Sequence, residues 1–295
     1  MLSRLNHVGL NLTKSKLQLV EVVNESSKYC SENVDEHIFE EEFNFSSDES
    51  EIISILQSSF NILTSRTPLK SNNISVSISL QEFKIFEIPF ETSLSQTSFD
   101  EQINWEFSIL FPTLKSNDYI IRTLPLANRE KQNRLLVVGL PKKIAEAVYN
   151  FSIQNNLILK SIDNSHLSSD SLISFHENKN IISIYLCSGY CSINTYLGTS
   201  LLTTKRFEIV NNNALIDLVN NFIENQNIAY DEIFLGSILD VDEFKNGLES
   251  KLDSNIEILS PFESIITSES FIQNSHFMNH PHSFSAAAGI CYRKI

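Results

Sequence analysis

The stretch Val8-Gly9-Leu10-Asn11-Leu12-Thr13-Lys14-Ser15-Lys16-Leu17-Gln18-Leu19-Val20 carries the reading of the fold. Apolar runs from Val8 to Leu12 and from Leu17 to Val23 are parted by the polar turn Thr13-Lys14-Ser15-Lys16, which predicts a β-hairpin near the start of the chain. The same device returns later as strand Ile181 to Leu186, a turn containing Ser188-Gly189, strand Ser192 to Leu197 and strand Leu201 to Val210. A strand meander is therefore expected to open each of two halves.

Between and after these meanders the periodicity changes. Ile52, Ile55, Leu56, Phe60 and Leu63 recur at helical spacing behind Ser46-Ser47-Asp48, a cluster suited to capping a helix start. Residues 74–80 alternate strictly, as in a strand with one buried face, and Phe83 to Ile88 suits a second strand. The apolar run Leu135 to Leu140 enters Pro141, which fits the first turn of a helix reaching about Gln154, and strand Leu157 to Ile162 follows. That order reads as a βαβ-like unit with helices over the sheet faces. Helix Ala214 to Asn225, strand Glu232 to Leu235, a helix opened by Asp240 and Glu243 at capping-box spacing, and strand Ile256 to Leu259 complete the second half. Ser285 to Tyr292 is rich in small residues and predicts a closely packed terminal helix. The segment holding Phe99, Trp105, Phe107 and Phe111 has no clear period and is assigned to an inserted subdomain at about 90–130. The halves are placed at 1–175 and 176–295, with the terminal helix returning to the first.

Composition narrows the function classes. A chain of 295 residues with 42% hydrophobic content can bury a real core. Its formal charge of −14 would repel a phosphate backbone, which argues against nucleic acid as a partner. Much of that charge lies between Glu32 and Glu51, expected to be a solvated acidic stretch. No apolar run approaches the roughly 20 residues of a membrane span, and Met1 to Val8 lacks a secretory h-region, so no membrane insertion and a cytoplasmic location are expected. Cys30, Cys187, Cys191 and Cys291 are too few for a disulfide framework, and reduced thiols are expected. Only seven glycines are present, a scarcity that weighs against phosphate loops built from bare backbone. No Gly-x-Ser-x-Gly elbow occurs, and no histidine stands in a recognisable relation to a serine. His276, His280 and His282 fall within seven residues, but Pro281 argues against a helix aligning the first two, and a surface loop is expected there.

Two successive α/β halves, each begun by a hairpin, resemble the actin-like ATPase superfamily. The order Val8 to Thr13, Leu135 to Lys142, Ile184 to Leu197, Ile233-Phe234-Leu235-Gly236-Ser237, Pro261-Phe262 and Ala287 to Ile290 looks most like the PilM family of type IV pilus assembly. The resemblance implies an α/β, two-domain, ribonuclease H-like duplicated fold, each half a mixed sheet flanked by helices. It implies a nucleotide cleft in which each hairpin turn cradles phosphates, with an Asp and a Gly in the first turn for Mg²⁺ and the β-phosphate. Asn11 stands at the Asp position and Thr13 at the Gly position, and no Asp or Glu occurs from Ile181 to Ser200, where a second carboxylate is expected. The paired glycines on the adenosine side survive as Gly236 followed by Ser237. Asn11, Thr13, Lys14, Ser15, Gly189, Gly236 and Ser237 are thus the residues of a vestigial cleft. No catalytic residue, metal or cofactor is expected. The function implied is a degenerate scaffold or adaptor that binds another protein or itself; ATP with Mg²⁺, held by unconventional loops through Lys14 and Ser15, is the alternative. In PilM relatives the inserted region and the groove beside it bind partners, which marks the same place here.

Overall fold

Strand β1 (His7–Leu12) pairs antiparallel with β2 (Lys16–Glu25), Leu12 opposite Leu17, so the expected hairpin closes over Thr13 to Ser15. The computed structural model describes residues 6–25, 28–91, 93, 95–127, 133–209, 211–226, 228–262, 266–267, 272 and 275–292. Val210, the expected end of the third strand of the second meander, lies outside them, as do parts of the segment at 90–130.

Beyond the hairpin, β3 (Lys28–Ile38) continues the meander, and β4 (Asn73–Ile78), β8 (Ile158–Asn164) and β14 (Ile266–Thr267) complete a six-stranded sheet in the order β14-β3-β2-β1-β4-β8. The strands β9 (Asn180–Cys187), β10 (Tyr190–Leu197), β11 (Ser200–Glu208), β12 (Glu232–Ser237) and β13 (Glu257–Ile258) form a five-stranded sheet ordered β11-β10-β9-β12-β13. In both sheets an antiparallel meander is extended by a parallel strand beside its first member, β4 beside β1 and β12 beside β9. A third sheet, β5 (Lys84–Pro89), β6 (Tyr119–Pro125) and β7 (Arg134–Pro141), runs in the order β5-β7-β6.

Helix α1 (Glu49–Arg66) covers the first sheet with Ile52, Leu56, Phe60 and Leu63, side chains whose burial stabilises the fold by about 1.5–3 kcal/mol each. Asp48 stands at its N-cap, yet its side chain makes no capping bond. Helix α3 (Lys142–Gln154) packs beside α1, Phe60 and Phe151 meeting edge to face at 5.3 Å. Helices α5 (Asn212–Asn225) and α6 (Asp242–Leu252) bury Leu215, Val219, Phe244 and Leu248 against the second sheet. A six-residue helix, α4 (Ser165–Asp170), and the terminal helix Ser285–Tyr292 pack on one another where the two larger sheets meet. Two glycines let the terminal helix approach β1 and α4: a Cβ on Gly9 would lie 1.9 Å from Ala287 O, and one on Gly289 would lie 2.0 Å from Ser168 O.

Several expectations are corrected. The acidic stretch is not simply solvated: Glu36 sits in β3 with its side chain buried against Lys16 and Gln18. Residues 135–162 are not one βαβ unit, because β7 belongs to the third sheet and β8 to the first. The unpatterned segment contains α2 (Gln96–Leu110), whose Ile103 and Phe107 cover the third sheet while Trp105 stays exposed. Val241, not Asp240, occupies the N-cap of α6, and no side-chain cap bond forms there. The histidine segment is not an open loop: it forms the helical turn Ser275–Asn279 and a 3-10 turn Pro281–Phe284, and His282 is buried.

Candidate functional site

The first hairpin turn is closed by its own threonine. Thr13 Oγ1 donates to Lys16 O (3.0 Å) and accepts from the N–H groups of Ser15 (3.3 Å) and Lys16 (3.1 Å), while Thr13 N–H donates to Lys16 O (3.0 Å). The chain beyond β3 then wraps the turn from outside, Phe39 N–H bonding Ser15 O (2.8 Å) and Phe43 N–H bonding Lys14 O (2.7 Å). Of the turn amides 13–16, only that of Lys14 is without a partner among the described residues. A phosphate cradle needs several convergent N–H donors, and here they are turned inward.

Asn11 is fully buried and has both side-chain ends in use: Nδ2 donates to Gln18 Oε1 (3.0 Å), and Oδ1 accepts from Ser165 Oγ (3.2 Å). Gln18 passes the chain on to Glu36 Oε2 (3.1 Å), which ends in an ion pair with Lys16 at 2.9 Å. This relay ties α4 to three neighbouring strands. A buried polar group without such partners costs about 1–3 kcal/mol, so the relay is part of the packing.

The second hairpin turns at Ser188-Gly189, between Cys187 and Tyr190. Gly189 has φ +79° with open space around its Cα, whereas Cys187 is buried and its thiol is pushed up to about 11. Arg206 lies over the Tyr190 ring at 5.2 Å. Gly236 is a packing glycine, since a Cβ there would meet Ser169 Oγ at 2.6 Å and the Tyr185 ring at 3.0 Å. Ser237 Oγ donates to Leu186 O (3.2 Å) and accepts from Leu239 N–H (2.8 Å). The residues singled out in sequence thus separate into a group flanking α4, namely Asn11 and Gly236, and a group at the hairpin tips, namely Thr13, Lys14, Ser15 and Gly189. Ser237 belongs to the end of β12.

Two features have no sequence counterpart. Glu82, past the end of β4, is held by burial above the usual carboxylate range, while Lys14, Lys84, Lys143 and Arg206 pull it back down. The charges of Lys14, in the first hairpin turn, and Arg206, on β11, are thus both felt at one carboxyl group. The second feature is a hydrogen-bonded cluster around α4. His166 bonds Ser192 Oγ through Nδ1 (2.7 Å) and Ser183 Oγ through Nε2 (3.1 Å). Asp170 accepts from Asn194 Nδ2 (2.7 Å), Tyr196 OH (2.6 Å) and Ser183 Oγ. A histidine thus does stand between serines with a carboxylate beside it, contrary to the reading of the sequence. It is 1% exposed, so no substrate reaches it, and burial holds its pKa below the ordinary value. Only Asn164, whose side chain caps α4 by accepting from Leu167 N–H (2.9 Å), offered a local signal for this helix.

The histidine segment also differs from expectation. His280 N–H bonds His276 O (3.2 Å), so Pro281 ends the helical turn only after the two rings are brought to 5.3 Å. His276 Nε2 lies 3.6 Å from Glu36 Oε1, and His282 Nε2–H donates to Leu239 O (3.0 Å). Among the described residues no group of three His, Cys, Asp or Glu is arranged to hold a metal ion. Nor is any helix among them long and apolar enough to cross a membrane.

No protein-family model matches the sequence, and no curated protein matches it. Solved structures do match in fold. The PilM-PilN type IV pilus biogenesis complex is similar at 12% identity and a TM-score of 0.77, over 98% of this chain and 98% of that one. A protein of unknown function with an actin-like ATPase fold from Bacteroides thetaiotaomicron is similar at 16% identity and a TM-score of 0.55, over 88% and 92%. The cytoplasmic domain of EpsL, an inner membrane component of the type II secretion system of Vibrio cholerae, is similar at 8% identity and a TM-score of 0.51, over 80% and 83%. At these identities the likeness establishes the fold, and the fold is actin-like.

Proposed function

We propose that this actin-like chain is a non-hydrolysing adaptor that works by binding another protein, with no nucleotide cofactor. The observation that carries the reading is the first hairpin turn, where the amides of Ser15 and Lys16 are spent on Thr13 Oγ1 and the position of the metal-facing carboxylate is a buried Asn11 bonded to Gln18 and Ser165. Magnesium-assisted phosphoryl transfer needs an anionic hold on the metal shell and a carboxylate or amide to orient water. Neutral Asn11, with no free polar atom, does not fit that role, and the second turn supplies no carboxylate.

The partner surface we assign is a groove of about 560 Å³ between the third sheet and the region of α3 and β8, with Phe83, Leu124, Val138 and Leu140 along its apolar wall. The likeness in fold of the whole chain to a chain of the PilM-PilN complex supports a protein-binding role. Burial of apolar surface is not screened by salt, so the partner should stay bound at high ionic strength during purification from the native cell. Ile120 lines the groove and is itself exposed, so Ile120→Glu should lose that partner while the thermal midpoint stays unchanged. Equal recovery of the partner by both proteins would remove the groove from the proposal.

A second reading is favoured by the electrostatics at Glu82, where the charges of Lys14, Lys84, Lys143 and Arg206 all act on one carboxyl group. They would suit an anionic nucleotide held by charge rather than by backbone. Nucleotide recovered with protein purified under native conditions would favour it.

A further inference from the structure

We propose that the gap between β5 and β11 receives an extended, acidic segment of a partner protein as an added β-strand. β5 is an edge of the three-stranded sheet, β11 is an edge of the five-stranded sheet, and a cavity of about 590 Å³ lies between them. Its lining shares no residue with the groove described above, so this site stands or falls independently of that one.

The direction of the backbone groups follows from the registers. Phe90 N–H bonds Asn133 O (2.8 Å), which sets the even-numbered residues of β5 towards β7. In an antiparallel pair, alternate residues exchange both bonds with the neighbour, so Ile85 and Glu87 turn their N–H and C=O outward. On β11, Ile209 N–H bonds Gly189 O (2.9 Å), placing the odd residues against β10 and turning Thr204 and Arg206 outward. Both edges therefore turn backbone groups that are outside their own sheet ladders towards one cavity.

One end of the gap is already closed by the chain itself. Ala127 N–H donates to Leu201 O (2.6 Å), and Arg134 donates to Leu202 O (3.2 Å). The Glu87 carboxylate accepts from Thr203 Oγ1 (2.5 Å) and Thr204 N–H (3.4 Å), taking a donor that the carbonyl of a neighbouring strand would take. Past Glu87 no such substitute occurs: Thr204 C=O and both backbone groups of Arg206 have no partner among the described residues. Leu80, Phe86 and Phe222 supply apolar surface for every second side chain of an inserted strand. Lys205 and Arg206 are exposed along the same edge, whereas Glu87 is already paired with Arg134 at 2.8 Å. Charge complementarity selects carboxylates at the other positions of the segment. Edge pairing of this kind draws affinity from the main chain and specificity from alternate side chains.

The test uses the full chain and a fluorescein-labelled peptide of about six residues alternating Glu and Val, followed by anisotropy. The parent peptide should bind. A version N-methylated on alternate amides, a Lys/Val version, and the parent peptide against Lys205→Glu/Arg206→Glu should each bind about tenfold or more weakly. The double variant should still unfold in one cooperative transition and is compared below that transition, and amide exchange at Ile85 and Arg206 should slow when the parent peptide is bound to the wild type. Absence of binding by the parent peptide overturns the proposal, as does equal binding of the N-methylated form, which would show that main-chain pairing is not used. Displacement by Mg-ATP also overturns it, because the peptide would then occupy the cleft between the hairpins.

Discussion

At residue scale, Asn11 is the position where structure and chemistry are hardest to separate. A carboxylate there would restore the charge that a magnesium shell uses, yet it would enter a fully buried site, and the lysine at the end of its relay, Lys16, is tied to Glu36. Asn11 donates to Gln18 Oε1, and an aspartate has nothing to donate. Asn11→Asp is therefore expected to cost about 1–3 kcal/mol in chemical denaturation and to yield no ATP hydrolysis. A variant as stable as the parent would show that the relay is dispensable. Histidines give a second prediction. Burial, with help from Lys160, lowers His7 from 6.5 to about 4, and burial lowers His166 and His282 as well. For each, the unfolded chain takes up a proton before the folded one does, so the stability is complete above the unfolded pKa and falls as pH drops through it. Between about pH 6.5 and pH 4 the wild type should lose more unfolding free energy than His7→Asn, which lacks one such group. Parallel profiles would contradict the assignment. The identities of Asn11 and Thr13 could be read in sequence as departures from a motif. Their bonds to Ser165 and within the turn could not, since Ser165 is 154 positions away from Asn11.

At element scale, legibility followed periodicity. The meanders β1-β2 and β9-β10-β11 and the helices α1, α3 and α5 have apolar faces long enough to outvote local noise. β3 was hidden because its charges find cations distant in sequence: Glu36 pairs with Lys16 on β2, Asp35 with Arg66 at the end of α1, and Glu32 with Lys70 in the loop after that helix. α4 was hidden because six residues carry too little period, and its serines give no apolar face although they are buried and the helix packs on the terminal helix. The assignment of β7 and β8 to one unit failed because strand adjacency in sequence does not state which sheet a strand joins. Contact between α4, the terminal helix and β1 depends on absent side chains. A methyl on Gly9 would meet a main-chain oxygen at 1.9 Å, and backbone cannot yield as a flexible side chain does. Gly9→Ala should therefore cost several kcal/mol, about 3 or more, or prevent folding. Gly189→Ala meets no neighbour, and its positive φ alone should cost about 1 kcal/mol. Comparable losses in thermal unfolding for the two would mean that the terminal helix is not held where the fold requires.

At the scale of the whole molecule, the two larger sheets are joined through α4 and the terminal helix, with Tyr185 fully buried beside Gly236 and stacked on His166 at 5.6 Å. A ligand between the hairpins would touch both halves, so its binding would be felt in global unfolding. At about 100 times its Kd a ligand stabilises the native state by roughly 2.7 kcal/mol, which for a domain of some 150–250 residues raises the midpoint by several degrees. The chain is somewhat longer, so the shift should be a little smaller but still easy to detect. On the proposed reading, excess Mg-ATP leaves the midpoint unchanged, because the amides of Ser15 and Lys16 are committed to Thr13, Asn11 is committed to Gln18 and Ser165, and Gly236 is committed to packing. Lys14 and Arg206 remain to attract phosphate by charge, and such attraction fades with salt. Thermal unfolding with Mg-ATP at low and high ionic strength separates the cases. No shift at either supports the adaptor. A shift present only at low salt and lost in Lys14→Ala would mark electrostatic capture by the cations around Glu82. A shift that persists at high salt would mean that a built nucleotide site exists, and the non-hydrolysing reading would have to be abandoned in favour of a nucleotide-dependent one.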